Sequence, residues 1–383
     1  MPRPLRHPGR RRRAAAVARG QGVGVGAMAA IQPSGAHGIE THRCRELVCE
    51  EAGTPPRLRL RDCPPLRATG SSIVVQVLAT SVNPIDVKRS AGYGARLLSL
   101  KGAGRFPMVL GNDFAGEVLA AGPGVRQWKA GDRVLGTLPT GARGSHATQV
   151  VVDGKLVRPW VGDYAAAEAA VLPYTFTTLW RALRSVGLDP RTASGRQVLV
   201  HGASGGLGQL ALQVLAAWQA RVTAICGPQS MDLCRALGAE SVVDRHTQGI
   251  SSIPAVFDAS FNFASWPDDA LVVDRLREAA MGHATTVHPL LGCVDQHGFL
   301  RGGYLAWRAH LAAARRARSK GPSVRYAWVV YQPDRDALDA LQAFMAHGAV
   351  RLPIGFQAPL ADAAGAFRHV AEGRPGRAAL LTP

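Results

Sequence analysis

Gln197-Val-Leu-Val-His-Gly-Ala-Ser-Gly-Gly-Leu-Gly-Gln-Leu-Ala-Leu-Gln213 is the stretch whose reading decides the fold. Gln197–His201 is a short apolar run of buried-strand type, and Leu210, Leu212, Val214 and Leu215 then recur at helical spacing. Between them lie four glycines, at 202, 205, 206 and 208. Glycine tolerates positive φ and lets a backbone approach a pyrophosphate closely. The helix that follows offers free N–H groups and the positive end of its dipole. A strand, a glycine-rich turn and a helix in this order predict a dinucleotide phosphate site at Ser204, Gly205, Gly206, Leu207 and Gly208.

Working outward, a second strand is expected at Arg221–Cys226. Folds selective for NAD carry a carboxylate at the end of that strand, about 20 residues past the turn, to bind the ribose 2′-hydroxyl. Here Cys226, Gly227, Pro228, Gln229 and Ser230 stand there. A carboxylate would repel a 2′-phosphate, so its absence favours NADPH over NADH, with Ser230, Arg235 or Arg245 as phosphate partners. Arg245 is either such a ligand or a solvated charge.

The alternation extends from Ala165 to about Val350. Helical periodicity at Ala165–Leu172, Thr177–Val186, Leu207–Ala217, Met231–Leu237 and Leu271–Ala280 is interleaved with strands that include Ala255–Asp258 and Thr285–Leu290. Such alternation implies right-handed crossovers and a parallel sheet covered on both faces. Residues 40 to about 162 read differently, as short strands such as Ser72–Leu78, Ala115–Ala121 and Thr148–Val152 between Gly/Pro turns. From Arg351 the chain returns to strand-like segments around one helix, Asp362–Ala371, and is expected to fold back onto the first domain. The expected organisation is 40–164 with 351–383 as one domain and 165–350 as the other.

The 383 residues are 47% hydrophobic and 19% charged, enough for packed cores and too apolar for a mostly disordered chain. No apolar run approaches the ~20 residues of a membrane span. The net charge of +18 suggests nucleic acid, but 40 of the 45 basic residues are Arg, an imbalance that coding bias explains. Seven of those Arg lie in residues 1–39, which hold no acid, and the remainder is spread along the chain. Nucleic acid is therefore not the expected partner. Residues 1–39 are half of a mitochondrial transit signature; the alternatives are a disordered tail or an early start, with Met28 as initiator. Cysteines at 44, 49, 63, 226, 234 and 293 form no CxxC pair, so a reduced, cytoplasmic setting is the expectation, or the mitochondrial matrix if residues 1–39 are a transit peptide. The scattered histidines give no metal pattern, and no Ser/His/Asp constellation is visible.

The segments NPIDVKRSAGYG (Asn83–Gly94), FPMVLGNDFAGEV (Phe106–Val118), GPGVRQWKAGDRV (Gly122–Val134), AAVLPYTFTTLWRAL (Ala169–Leu183) and HGASGGLGQLALQ together resemble the medium-chain dehydrogenases/reductases. Within them the chain resembles the zinc-independent quinone oxidoreductases, and VRYAWVVY (Val324–Tyr331) with Gly348–Gly373 is similar to the mitochondrial reticulon-interacting oxidoreductases and their bacterial relatives. The resemblance implies an α/β fold: a GroES-like β-rich catalytic domain beside a Rossmann doubly wound parallel-sheet domain, with NADPH in the cleft. Zinc enzymes of this fold carry Cys where Asn83 stands and His-Glu where Asn112-Asp113 stands, and a four-Cys lobe after Gly131–Val134. This chain has no Cys between 63 and 226, so no zinc is expected. Without a Lewis acid, a quinone or α,β-unsaturated carbonyl suits hydride transfer better than a simple alcohol.

Asn83 is a candidate to hydrogen-bond the acceptor carbonyl or the nicotinamide ribose, or else a turn former before Pro84. Tyr93 either lines the substrate mouth and donates a proton, or is merely packed. Thr178 matches a family position whose hydroxyl approaches the cofactor, with Thr177 a weaker neighbour. The family's Gly pair after Asp258 is replaced by Ala-Ser-Phe-Asn-Phe. Ser260 and His288 are further candidates, His288 reading better as a structural residue. The expected activity is NADPH-dependent reduction of a quinone or enone by a monomer or homodimer; the alternative is an NADPH-binding regulator or assembly protein of weak turnover.

Overall fold

The computed structural model describes residues 43–382 apart from Ala142, so every expectation for residues 1–39 falls outside the described residues. The first stretch runs β1 (Arg45–Cys49), β2 (Leu58–Asp62), β3 (Ser72–Val82), α1 (Pro84–Ser90), α2 (Ala95–Ser99), β4 (Met108–Val109), β5 (Asp113–Ala121), β6 (Arg133–Thr137), β7 (Gln149–Asp153) and β8 (Val157–Pro159). Then come α3 (Ala166–Ala170), α4 (Pro173–Val186), β9 (Gln197–His201), α5 (Gly206–Ala217), β10 (Arg221–Cys226), α6 (Met231–Ala236), β11 (Ser241–Asp244) and β12 (Ala259–Asn262). After them follow α7 (Asp269–Val273), β13 (Gly282–Thr285), α8 (Leu290–Arg318), β14 (Arg325–Trp328) and α9 (Arg335–Ala346). The tail adds β15 (Ile354–Pro359), α10 (Ala364–Ala371) and β16 (Arg377–Leu381).

The middle of the chain builds a six-stranded sheet in the order β11-β10-β9-β12-β13-β14, with every neighbouring pair parallel. The chain winds outward from β9 to β11, then returns to β12 on the other side. The switch point thus lies between β9 and β12, where doubly wound sheets bind ligands. β9 and β10 coincide with the strands expected from the sequence. Val198 and Val200 of β9 pack with Leu179 and Leu183 of α4 and Leu210, Leu212 and Leu215 of α5 in one core. Each such side chain contributes about 1.5–3 kcal/mol by leaving water.

The first stretch and the tail share a second sheet, β15-β16-β3-β5-β6-β8, with β7 also on β3; β2-β1-β4 form a third. β16 runs antiparallel to β3 with Ala378 opposite Val82, so the tail does return to the first lobe. The same register carries Arg377 to the position beside Asn83.

The expected strands at Ala255–Asp258 and Thr285–Leu290 are realised nearby, as β12 and β13. Asp258 is an anchor at the entry to β12: its carboxylate accepts from Gln197 N, Arg196 and Arg277. β13, Gly-His-Ala-Thr, carries a fully buried His283 whose ring is held by hydrogen bonds, so apolar patterning passes over it. The expected helix at Leu271–Ala280 is the short α7, and α8 was not foreseen; it is two helical pieces joined at Gly298 (φ 74°, ψ 179°).

The reduced-cysteine expectation is corrected: Cys44 and Cys63 form a disulfide with a Cα–Cα distance of 5.2 Å. The β1/β2 ladder explains it, because Arg45 lies opposite Asp62 and the two cysteines face each other one step beyond. A spacing of 19 residues carries no signal in the sequence. Among the described residues, no helix is long and apolar enough to cross a membrane.

Candidate active site

The glycine turn lies at the switch point. Gly202 takes φ +82°, a left-handed conformation that favours glycine. A Cβ on Gly208 would fall 2.3 Å from Gly202 O and 2.5 Å from Ala203 Cα, so this glycine lets α5 close against the turn. Gly205 differs: it is exposed, and a Cβ there would meet only Gly202 O, at 3.5 Å. Ser204, Gly206 and Leu207 are half-buried, and Gln209 Nε2 donates to Ser204 O at 2.7 Å, steadying the loop. The N–H groups that open this 12-residue helix stand beside a close-packed glycine turn, an arrangement that fits a pyrophosphate.

Arg377, at the start of β16, reaches this turn from the other lobe: its Nη1 lies 2.9 Å from where a Gly206 Cβ would stand. One Nη donates to Asn83 Oδ1 and, at 3.3 Å, to Thr175 Oγ1. Asn83 is fully buried and fully engaged, since its Nδ2 donates to Ser81 Oγ at 2.7 Å and to Asp113 Oδ1 at 3.3 Å. Its own N–H donates to Asp86 Oδ2 at 2.8 Å, which fixes the start of α1. Asp113, also fully buried, accepts from Ser81 Oγ and from Tyr174 N. Burial pushes its carboxyl up to about 7, against the pull of the Ser81 hydroxyl and the Arg377 charge. Burial also lowers the Arg377 guanidinium from its ordinary value, with Asp113 opposing. Nothing marked Arg377 among 40 arginines in the sequence; the return of the tail was its only signal.

Tyr93 sits in the loop between α1 and α2, its ring 3.7 Å from where a Gly292 Cβ on α8 would stand. Burial and the nearby Asp295 raise its phenol above the ordinary value, so it stays protonated near neutrality. Asp295 of α8 accepts from Gly94 N at 2.5 Å and Arg96 N at 3.2 Å, so a carboxylate of the nucleotide lobe caps α2 of the other lobe. Thr178 Oγ1 donates to Tyr174 O at 2.9 Å within α4. The hydroxyl of Thr177 and Nδ2 of Asn112 are buried without partners among the described residues.

At the far end of β10, Arg245 and His246 gather around Gly227: Arg245 Nε and His246 Nε2 each lie 3.9 Å from a Cβ placed there. Arg245 N donates to Cys226 O at 2.9 Å, and Ser230 N to Gly227 O at 3.0 Å, so the two expected phosphate partners flank one strand end. Arg235 is instead paired with Asp232 at 2.7 Å. His246 was missed because it has no fixed spacing to the turn.

The sequence showed no Ser/His/Asp constellation, and here the structure corrects that reading. Ser260 Oγ lies 2.8 Å from His283 Nδ1, and His283 Nε2 lies 3.0 Å from Asp269 Oδ1. Tyr326 OH and Asn262 Nδ2 also donate to Asp269. All three members are buried, so no substrate reaches them and the arrangement is structural. His288 stacks on Trp328 at 4.8 Å.

The positions at which zinc enzymes of this fold hold the metal do not fit one here. Asn83 directs its oxygen to Arg377, and that guanidinium, close to Asp113, would repel a divalent cation. Among the described residues no group of three or more His, Cys, Asp or Glu is arranged to hold a metal.

Residues 70–177 match the family described as alcohol dehydrogenase GroES-like domain, and residues 237–375 match zinc-binding dehydrogenase. The NAD(P)H oxidoreductase RTN4IP1, mitochondrial, of Homo sapiens is 31% identical over 317 residues, covering 79% of each chain. The chloroplastic quinone-oxidoreductase homolog of Spinacia oleracea is 32% identical over 193 residues, covering 50% of this chain and 57% of that one. The quinone oxidoreductase structure from Coxiella burnetii superposes with a TM-score of 0.74 at 22% identity, covering 89% of this chain and all of that one. With its glycine turn at the switch point and its tail strand closing a GroES-like lobe, the chain belongs to the medium-chain dehydrogenase/reductase superfamily.

Proposed function

We propose that the chain is a zinc-independent, NADPH-dependent oxidoreductase acting on a quinone or an α,β-unsaturated carbonyl, with 40–164 and 351–383 forming the catalytic domain and 165–350 the nucleotide domain. The observation that carries this reading is the meeting of Arg377 with Gly206 at the opening of α5, which brings a cation to the helix N–H groups. Bound there, NADPH would supply a hydride from its nicotinamide ring.

The remaining roles belong to the chain. Ser204 to Gly208 and Arg377 hold the pyrophosphate, and Ser230 and Arg245 hold the 2′-phosphate; β10 itself ends without a carboxylate, and Asp244 of β11 lies beside Cys226. Asn83, with its carboxamide fully used, positions Arg377. Tyr93, with a phenol that stays protonated, is the donor proposed for an acceptor oxygen. Thr178 is the α4 residue proposed to approach the cofactor, with its hydroxyl already donating to Tyr174 O. Catalysis is then chiefly positioning and polarisation in a closed cleft.

The Ala259-Ser260-Phe261 segment forms a regular strand paired on both sides, so it does not single out the regulator alternative. For location we propose mitochondria in place of the cytoplasm, because relatives carry that location in their names and residues 1–39 are Arg-rich and acid-free.

The test is oxidation of NADPH against NADH, followed at the nicotinamide absorbance, with a small quinone and a small enone. Turnover with NADPH is expected. Saturable NADPH binding without turnover on either acceptor class would overturn the enzyme reading, and absence of nucleotide binding would overturn the site.

A further inference from the structure

An open cleft of about 610 Å³ lies on the catalytic lobe, lined by β1, the end of β2, α1 and the segment 102–109. Its charged lining is Glu46, Arg61, Asp62, Arg89, Arg105 and Arg143, none of which belongs to the cluster around Asp113. Four guanidinium groups face two carboxylates. Glu46 is nearly buried and already takes both Arg61 and Arg143.

Arg89 is the unusual member. It is 7% exposed, yet its only hydrogen-bond partners among the described residues are neutral: Nη2 donates to Ala103 O at 2.9 Å and lies 3.8 Å from Met108 Sδ. Its Nε has no partner, and no carboxylate among the described residues forms an ion pair with it. Burying a cation in this way is costly unless an anion meets it. Arg105, on the segment whose Ala103 carbonyl meets Arg89, also lines the cleft, is exposed, and has no ion pair among the described residues. The disulfide fixes the same wall, since Cys63 lines the cleft and is tied to Cys44.

We propose that this cleft is a second ligand site, for a phosphate monoester whose phosphate is held by Arg89 and Arg105. A planar guanidinium suits phosphate oxygens, and a dianion would neutralise the excess charge of the lining. The cleft lies within the ~300–1,000 Å³ range of small-molecule sites and far exceeds a bare phosphate, so the anion is the head of a larger molecule. The proposal stands apart from the cofactor assignment, because none of its residues touches the glycine turn.

The test is calorimetric titration of the full chain with inorganic phosphate and with glycerol 3-phosphate, at ionic strength held constant with sodium chloride. Saturable binding is expected, tighter for the monoester and at least tenfold weaker in R89M and in R105Q. Phosphate bound at the glycine turn would be indifferent to both substitutions. Arg105 is exposed, so R105Q reports on the site even if R89M fails to fold. No saturable binding, equal binding by both variants, or full displacement by chloride would overturn the site, and equal affinity for the two probes would overturn the monoester.

Discussion

Asp113→Asn replaces a fully buried carboxyl with its neutral isostere, and the consequence is a change in how stability depends on pH. Asp113 titrates near 7 in the fold and near 3.8 as an ordinary carboxylate. The fold therefore favours its protonated form, by about 4 kcal/mol at 1.36 kcal/mol for each unit. Between about pH 4 and 7 the folded chain keeps this proton and the unfolded chain has released it, so stability falls as pH rises through that window. Below it both states are protonated and the contribution is complete. Above it both are ionised and the contribution is gone. The substitution also exchanges an acceptor for a donor facing Ser81 or Tyr174, at a cost of about 1–3 kcal/mol at every pH. The slope, not the offset, is diagnostic. Urea unfolding of both chains from pH 4.5 to 8 should show the advantage of the wild type shrinking by about 3 kcal/mol, the part of the window those pH values span. Parallel curves would refute the assignment of a near-neutral carboxyl to Asp113.

The two glycines at the ends of the phosphate turn should separate stability from affinity. Gly208→Ala drives a Cβ into Gly202 O and should lower stability by about 1–3 kcal/mol in thermal melts. Gly205→Ala meets nothing closer than 3.5 Å and should leave the melt unchanged while weakening NADPH binding measured by fluorescence titration. Arg377→Met should raise the Kd for NADPH at least tenfold, the ~1.5–3 kcal/mol of a charge-assisted hydrogen bond; an unchanged Kd would remove Arg377 from the site. Arg245→Glu should lower kcat/KM for NADPH far more than for NADH, whereas equal effects would return Arg245 to the solvated surface. Ser260→Ala should cost about 1–3 kcal/mol in stability and leave kcat unchanged, because its hydroxyl serves His283 alone.

The nucleotide half was legible because its signals are local. An apolar strand, a glycine turn and an apolar helix lie consecutively, so one window of sequence holds the whole device. β9, β10 and the start of α6 accordingly fall where periodicity puts them. β12 and β13 were displaced because their defining residues are polar and buried, satisfied by partners up to 23 residues away. The cluster around Asp113 was half legible. Asn83 and Asp113 stand in motifs, but the cation that joins them is supplied nearly 300 residues later by a strand whose register no local pattern specifies. The disulfide was hidden for the same reason, since only the β1/β2 ladder makes residues 44 and 63 neighbours.

The replacement of the glycine pair after Asp258 acquires a physical meaning from the loop that follows β12. Asn262 Oδ1 accepts from Ala264 N at 3.1 Å and Ser265 N at 3.3 Å, while its Nδ2 reaches Ser265 O and Asp269. Asp269 in turn receives His283 from β13 and Tyr326 from β14, so one carboxylate ties three parallel strands together at the root of α7. Its neighbour Asp268 lies 3.0 Å from His201 Nε2, on the last residue before the phosphate turn. A Cβ on Gly202 would come within 3.0 Å of Ala264 N, so this loop packs directly on that turn. A glycine pair would leave the backbone mobile at this point. Asn262, Asp268 and Asp269 instead fix it through hydrogen bonds, and the buried Ser260–His283 pair extends the same scaffold into the sheet. The Ser/His/Asp geometry is thereby accounted for as a brace: its hydroxyl is sealed from solvent, while the residues it steadies line the switch point at which the cofactor is proposed to bind.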